Sequence, residues 1–264
     1  MSRDLSEAQN AFLGAGSGII EVTINQPMAF FKNAAQQKLP LTLDPRVLYR
    51  GYAAACLNQG TVTCFQFVAN GAIQQLVTGG DTRVLTASEL LLSGALAGAA
   101  SAIFCGPLEL VMTQQQRKGT SLPATFAALG QRGPGNFFRG FGVTAARESV
   151  YTAGYLGLAP VVRSHLVEHF SAQEEVARAV GAFVAGISIC AVTQPIDTCK
   201  TCLQGDVEQA LYKGTTDTFR TLASENGLAA FYRGFGWRCA RTTSAIFVLD
   251  KSRTFLTPIL FPET

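Results

Sequence analysis

The sequence has few charged side chains. Only 15% of its 264 residues are Asp, Glu, Lys or Arg, whereas a typical soluble domain has about 25%. The mean hydropathy is +0.22, and the stretches 90–108 and 179–196 contain no charged residue. Each stretch is long enough to cross a hydrocarbon core of about 30 Å. These features favour a membrane protein; the alternative is a large soluble protein with buried apolar helices.

The sequence lacks the residue patterns that nucleic-acid binding, metal binding and catalysis require. The net charge of +3 is too small to indicate nucleic acid, and no basic patch with interleaved aromatic residues occurs. The CxxC pair Cys199 and Cys202 has no second pair with which to bind a metal. His165 and His169 lie four residues apart without further candidate ligands. We therefore expect no metal and no cofactor. We also expect no enzymatic activity, because no nucleophile–base arrangement is present.

The most informative feature that is present is a pattern that occurs three times. Each copy has small residues before a proline, a glutamine nine residues after it and, further on, an aromatic-Arg-Gly motif. The prolines are Pro27, Pro107 and Pro195, and the later motifs are Tyr49-Arg50-Gly51, Phe138-Arg139-Gly140 and Tyr232-Arg233-Gly234. A period of this length indicates a repeat architecture. We place the repeats at 1–82, 83–172 and 173–264.

Each repeat predicts two transmembrane helices. The odd-numbered helices are expected at about 8–36, 87–117 and 174–203, and the even-numbered ones at about 52–77, 141–169 and 235–257. Small residues let such helices approach closely, and each proline is expected to kink its odd helix. Short surface helices are expected at about 216–225 and 123–129. The first repeat has little room for one, because Arg50 follows Pro27 by only 23 residues.

On these motifs the chain resembles the mitochondrial carrier family, whose repeats carry Pro-x-[Asp/Glu]-x-x-[Lys/Arg] followed by aromatic-[Lys/Arg]-Gly. The copies here read PMAFFK, PLELVM and PIDTCK. The resemblance implies an all-α membrane protein with six transmembrane helices in three pseudo-threefold repeats and short surface helices on the matrix side. It implies a multi-pass protein of the mitochondrial inner membrane that opens alternately to either side. The N-terminus is typical neither of a secretory signal nor of an Arg-rich transit peptide.

The resemblance also implies bound cardiolipin and a ring of interhelical ion pairs that closes the matrix side. Cardiolipin is expected near the glycines of the Arg-Gly turns, which are Gly51, Gly140 and Gly234. In the ring, Ala29 replaces one acid and Met112 replaces one base. An unpaired charge in the bilayer core costs about 2.5–3.5 kcal/mol. If each acid pairs with the base of the following repeat, no charge is left without a partner; other registers leave charges unpaired. This register predicts the pairs Glu109–Lys200 and Asp197–Lys32, with Ala29 opposite Met112. The alternative is that these charges extend from the helix ends into water.

A second gate at the far ends of the even helices is poorly represented. The positions that the family fills with an acid and a base hold Gly71 and Gln74 in the first repeat, Pro160 and Arg163 in the second, and Asp250 and Arg253 in the third if one helical turn is missing. We expect at most one ion pair there.

The solute site is expected about seven residues past each Arg-Gly glycine. Arg147 and Glu148 occupy this place in the second repeat, as in carriers of amino acids, ornithine and carnitine. An amino acid would offer a carboxylate to Arg147 and an ammonium to Glu148. Arg241 would hold a second carboxylate, and Asn58 would donate or accept a neutral hydrogen bond. The alternative is that Arg147 and Glu148 pair with neighbouring helices for structural reasons.

The predicted function is transport or exchange of a small amino-acid-like solute. The alternative is a carrier homologue that no longer transports and serves as a structural subunit of a larger inner-membrane (respiratory) complex. The lost ion pair and the weak second gate favour that alternative. The intramembrane acid Glu21 has no assigned partner at this level: it faces either the cavity or an even helix.

Overall fold

A computed structural model of the chain describes residues 7–80, 83, 85–154, 158–170 and 173–260. These residues form helices and connecting turns, without a β-strand among them. The long helices are α1 (Glu7–Gln37), α3 (Tyr52–Thr78), α4 (Ala87–Lys118), α6 (Phe141–Ala153), α7 (Ala159–Phe170), α8 (Glu174–Gly205) and α11 (Phe235–Leu260). The short ones are α2 (Pro45–Leu48), α5 (Leu122–Gln131), α9 (Thr215–Asn226), α10 (Leu228–Phe231) and a 3-10 helix at Pro134–Phe138.

This arrangement confirms the all-α fold class. The odd helices are α1, α4 and α8, and the even helices are α3, the α6–α7 pair and α11. The surface helices α5 and α9 are present, and the first repeat has only the single turn α2. The predicted helix 141–169 is represented by α6 and α7, and residues 155–157 between them lie outside the described residues.

The long helices form a closed ring. Within each repeat the odd helix packs on the even one: α1 on α3, α4 on α6 and α8 on α11. Between repeats α3 packs on α4, α6 and α7 pack on α8, and α11 packs on α1. Two helices of the described chain, spanning Ser88–Lys118 and Glu174–Gly205, are apolar and long enough by themselves to cross a membrane.

Close packing of α4 on α6 depends on two glycines. A Cβ at Gly98 would overlap the Glu148 carbonyl, and one at Gly94 would lie 3.1 Å from the Ala153 Cα. These glycines form a small-xxx-small step, which lets two helix backbones approach closely. The contact also fixes the position of Glu148 along the axis of α4.

The aromatic residue of the Arg-Gly motif satisfies a carbonyl that the proline leaves unpaired. A helical proline has no N–H for the carbonyl four residues before it. For Pro27 that carbonyl is on Thr23, which accepts a hydrogen bond from the Tyr49 hydroxyl at 3.0 Å. In the third repeat, the Tyr232 hydroxyl donates to the Ala191 carbonyl at 3.3 Å. The motif therefore supports the interrupted helix of its own repeat.

The glutamine before the proline adds a second link between the same two segments. Gln26 Nε2 donates to the Arg50 carbonyl at 3.1 Å, and Gln194 Nε2 donates to the Arg233 carbonyl at 2.9 Å. The second repeat has Gly106 in place of this glutamine and Phe138 in place of the tyrosine. Neither residue has a side-chain donor, so the second repeat cannot make these two bonds.

Candidate solute-binding site

A central cavity of about 230 Å³ lies inside the ring of helices. Side chains of α1, α3, α4, α6, α8 and α11 line it, so every repeat contributes to its wall. The motif charges, the residues of the expected solute site and several amides all face this one space. Long helices with a polar inner side thus enclose a polar chamber.

Two buried ion pairs lie at the proline motifs. Lys32 Nζ is 2.8 Å from Asp197 Oδ2, and Lys200 Nζ is 2.7 Å from Glu109 Oε2. Both pairs join the acid of one repeat to the base of the following repeat, in the register that leaves no charge alone. The expected alternative, charges extending separately into water, does not describe these side chains, since the carboxylates and Lys200 are almost fully buried.

A neutral contact joins α1 to α4, where the sequence has Ala29 and Met112 in place of a charged pair. Asn33 Nδ2 donates to Gln116 Oε1 at 2.6 Å, and both side chains are buried. Met112 also packs under the turn at Gly51, where a Cβ would lie 2.9 Å from Met112 Cγ. A hydrogen bond and apolar packing therefore take the place of the third ion pair.

Arg147 connects the expected solute site to the motif charges. Its Nη2 lies 2.9 Å from Glu109 Oε1 and also contacts Glu148. Glu148 is buried and accepts a hydrogen bond from Gln66 Nε2 at 3.0 Å. Arg147 Nε is 3.7 Å from Asp197 Oδ1 and has no hydrogen-bond partner among the described residues. The sequence had placed these groups in two separate sets, whereas the fold makes them one network.

Arg241 and Glu21 face each other across α11 and α1. Their closest atoms are 3.6 Å apart, and Arg241 is 41% exposed whereas Glu21 is almost fully buried. Asn25 Nδ2 also donates to Glu21 at 3.0 Å. The question that the sequence left open is thereby answered, since Glu21 faces an even helix. Asn58 lines the cavity, and its Oδ1 has no hydrogen-bond partner among the residues that the structure describes.

Sequence reasoning missed one basic residue of the cavity wall, Arg238. It is 6% exposed and lies three residues before Arg241 on α11. A signal was available, because residues three apart on a helix share a face. Because Arg241 was already assigned to the cavity, this spacing could have placed Arg238 in the same wall.

The expected second gate has no ion pair at the expected positions of the second repeat. Arg163 instead pairs with Glu174 of α8, and both side chains are about half exposed. In the third repeat the candidate pair falls on Asp250 and Arg253, whose side chains lie outside the described residues.

The glycines of the Arg-Gly turns begin the even helices. Gly51, Gly140 and Gly234 have φ of 80°, 77° and 73°, in the left-handed region that glycine adopts at little cost. A Cβ at Gly234 would lie 2.8 Å from the Lys32 carbonyl of the next odd helix. These turns therefore need glycine for backbone reasons. Cardiolipin binding beside them stays a prediction.

One group of side chains could in principle share a metal ion. Cys105, Glu109 and Glu148 offer ligand atoms that lie within 4.8 Å of one another. Arg147 already contacts both carboxylates. Because the guanidinium supplies the positive charge there, we assign no metal to this cluster.

Comparison with known proteins agrees with this architecture. The family model described as "Mitochondrial carrier protein" matches residues 83–170 and 172–257. The chain belongs to the mitochondrial carrier family. It is therefore a transporter and not an enzyme, and it is a multi-pass protein of the mitochondrial inner membrane.

Known relatives of this carrier differ in their solutes. It is 26% identical to a mitochondrial glycine transporter of Kluyveromyces lactis, over 86% of this chain and 89% of the relative. It is 26% identical to a probable mitochondrial 2-oxodicarboxylate carrier of Dictyostelium discoideum, over 86% and 82%. It is 31% identical to an ADP,ATP carrier protein of Parachlorella kessleri, over 64% and 53%. These names establish transport of a small solute without fixing its class.

Proposed function

We propose that this carrier moves a small amino-acid-like solute by alternating access. The observation that carries the proposal is the buried pair of Arg147 and Glu148 in the cavity wall. A zwitterion presents the same two charges. Its carboxylate can take the place of Glu148 beside Arg147, and its ammonium can take the place of Arg147 beside Glu148.

The energetics of buried charges favour a zwitterion over a singly charged solute. Removing one partner of a buried ion pair costs about 3–5 kcal/mol, because the other charge is left without compensation. A simple anion bound to Arg147 would leave Glu148 in that state. An amino acid compensates both groups at once, so opening the pair leaves no orphaned charge.

Two further residues are suited to the rest of the solute. Arg241 is only loosely held, since its closest atom to Glu21 is 3.6 Å away and it is the most exposed cation of the site. Asn58 Oδ1 has an unused acceptor among the described residues. These two side chains can donate and accept further hydrogen bonds to the solute.

The motif ion pairs are suited to act as the gate at one end of the cavity. Lys32–Asp197 and Glu109–Lys200 join α1, α4 and α8 across the ring. Opening this end requires both pairs to separate. A solute that binds Arg147 draws it away from Glu109, which removes the contact that joins α6 to the gate pair Glu109–Lys200. Binding thereby biases the equilibrium between closed and open states.

The test is uptake of labelled glycine, L-glutamate, ornithine, lysine or carnitine into liposomes that contain the purified carrier. We expect uptake above that of empty liposomes, and a loss of at least about tenfold in Arg147→Ala and in Arg241→Ala. The matched control is Arg220→Ala, since Arg220 is exposed on α9. Arg147→Lys and Glu148→Gln are conservative variants that test the same contacts if Arg147→Ala does not fold.

Two results would contradict the proposal. If uptake is unchanged in both Arg147→Ala and Arg241→Ala, these residues do not belong to the solute site. No exchange with any of these solutes, together with co-purification in a large complex in mild detergent, would instead support the structural-subunit alternative.

A further inference from the structure

Arg238 is a buried cation of the cavity wall that lacks a carboxylate partner. No acid among the described residues lies within salt-bridge distance of it, 4.0 Å. Its hydrogen bonds go to neutral acceptors, which are Thr193 Oγ1 at 2.7 Å, Gln194 Oε1 at 3.1 Å and the Cys190 carbonyl at 3.4 Å. A buried charge is costly unless it is paired.

The remaining charges around the cavity balance one another. Three bases, Lys32, Arg147 and Lys200, form one network with three acids, Glu109, Glu148 and Asp197. Arg241 faces Glu21. Among the described residues that line the cavity or pair with its wall, Arg238 is left as one uncompensated positive charge. The chamber thus has a net charge suited to a solute with one extra negative charge.

The geometry of Arg238 leaves it able to bind such a group. A guanidinium has five N–H donors, and three hydrogen bonds to protein acceptors are formed here. The other two donors have no acceptor among the described residues and are left for a carboxylate. Arg241 lies one helical turn further along α11 and lines the same cavity, so the two guanidiniums form a basic part of the wall.

We infer that the solute carries a second carboxylate, as an acidic amino acid or a close analogue does, and that Arg238 is the specificity-determining residue that binds it. This inference rests on the proposed function. The α-carboxylate and ammonium exchange with Arg147 and Glu148, and the extra carboxylate neutralises Arg238. A cationic amino acid would instead place a second positive charge in a chamber that already has one in excess.

The experiment compares four labelled solutes in the same proteoliposomes: L-glutamate, L-aspartate, glycine and L-ornithine. We expect the two acidic solutes to be taken up at least about tenfold better than ornithine. Arg238→Gln is expected to lower glutamate uptake by about tenfold to hundredfold, because one charge-assisted hydrogen-bonded contact is lost. Glycine uptake, which does not use Arg238, is expected to stay within about threefold, a change that corresponds to less than one hydrogen bond.

Two further variants distinguish the loss of the Arg238 charge from a loss of folded protein. Arg238→Lys keeps the charge, so it is expected to keep the preference for glutamate over ornithine. Arg220→Gln, on the exposed face of α9, is expected to change nothing. Thermal unfolding of the detergent-solubilised wild type gives a readout that needs no transport: glutamate is expected to raise Tm more than ornithine, and Arg238→Gln is expected to abolish the difference.

The outcomes distinguish this inference from the proposed function. If Arg238→Gln is folded and retains the wild-type glutamate-to-ornithine ratio, the assignment of Arg238 is wrong. If wild type prefers ornithine, it is also wrong. If no amino acid is moved but glutarate, which lacks the amino group, raises Tm in an Arg238-dependent way, the amino-acid proposal fails while the carboxylate site at Arg238 is supported.

Discussion

The chain itself contains a neutral version of its buried ion pair. Lys32 and Asp197 are paired at 2.8 Å, whereas Ala29 and Met112 occupy the equivalent positions between the first and second repeats. Asp197→Ala together with Lys32→Met would convert the charged pair into this neutral one. The single substitutions remove one partner each, so the set forms a double-mutant cycle.

The two single substitutions are expected to differ in cost. Asp197→Ala leaves Lys32 without a carboxylate among its described neighbours, which costs about 3–5 kcal/mol for a buried pair. Lys32→Met leaves Asp197 with a hydrogen bond from Gln36 at 2.9 Å and with Arg147 at 3.7 Å and Lys200 at 3.8 Å. Its cost should therefore lie nearer that of one charged hydrogen bond, about 1.5–3 kcal/mol.

The double variant should be more stable than Asp197→Ala, because it removes the orphaned lysine. The assay is thermal unfolding of purified protein in detergent. At about 2–4 °C per kcal/mol for a chain of this size, Asp197→Ala should lower Tm by about 6–20 °C. The reasoning is refuted if Lys32→Met is the more damaging single change, or if adding it to Asp197→Ala lowers Tm further. A matched control is Arg220→Ala, which changes a charge outside the network.

Three other predictions concern stability and helix packing. Tyr49→Phe and Tyr232→Phe should each lower stability by about 1 kcal/mol, since a carbonyl loses its donor, whereas Phe138→Tyr, which adds a hydroxyl at the equivalent position, should not lower Tm. Gly98→Ala should separate α4 from α6 and reduce both Tm and uptake, while Gly130→Ala, where no atom lies within 4 Å of the added Cβ, should lower neither. Burial alone would raise the pKa of Asp206, but amide hydrogen bonds from Ala210, Leu211 and Tyr212 outweigh it and hold the pKa below its ordinary value. The unfolded state therefore binds the proton more tightly, so this stabilisation is present above about pH 4 and is lost as the pH falls through the folded pKa. The Tm difference between wild type and Asp206→Asn should accordingly be larger at pH 7 than in acid; an equal difference at both would refute the assignment.

The repeat pattern was sufficient to predict the helices and the register of the ion pairs. Apolar stretches and the spacing of prolines and glycines are local properties of the chain, so they place α1, α4 and α8 within a few residues. The pairing of Asp197 with Lys32 followed from a count, because a low-dielectric interior penalises any register that leaves a charge alone.

The sequence by itself determined the family, the ring of helices and the two motif ion pairs, because each depends on residue type at a fixed spacing. Only the tertiary structure decided which side chains meet across helices. Spacing along one helix gives no information on the rotation of its neighbour. For that reason Arg147 joined the motif charges, Glu21 faced Arg241, and the tyrosine hydroxyls reached the proline-interrupted carbonyls without any signal in the motifs. The same limit applied to Arg238: that no acid of the described chain lies within salt-bridge distance of it is a property of the packed bundle and not of the sequence around it.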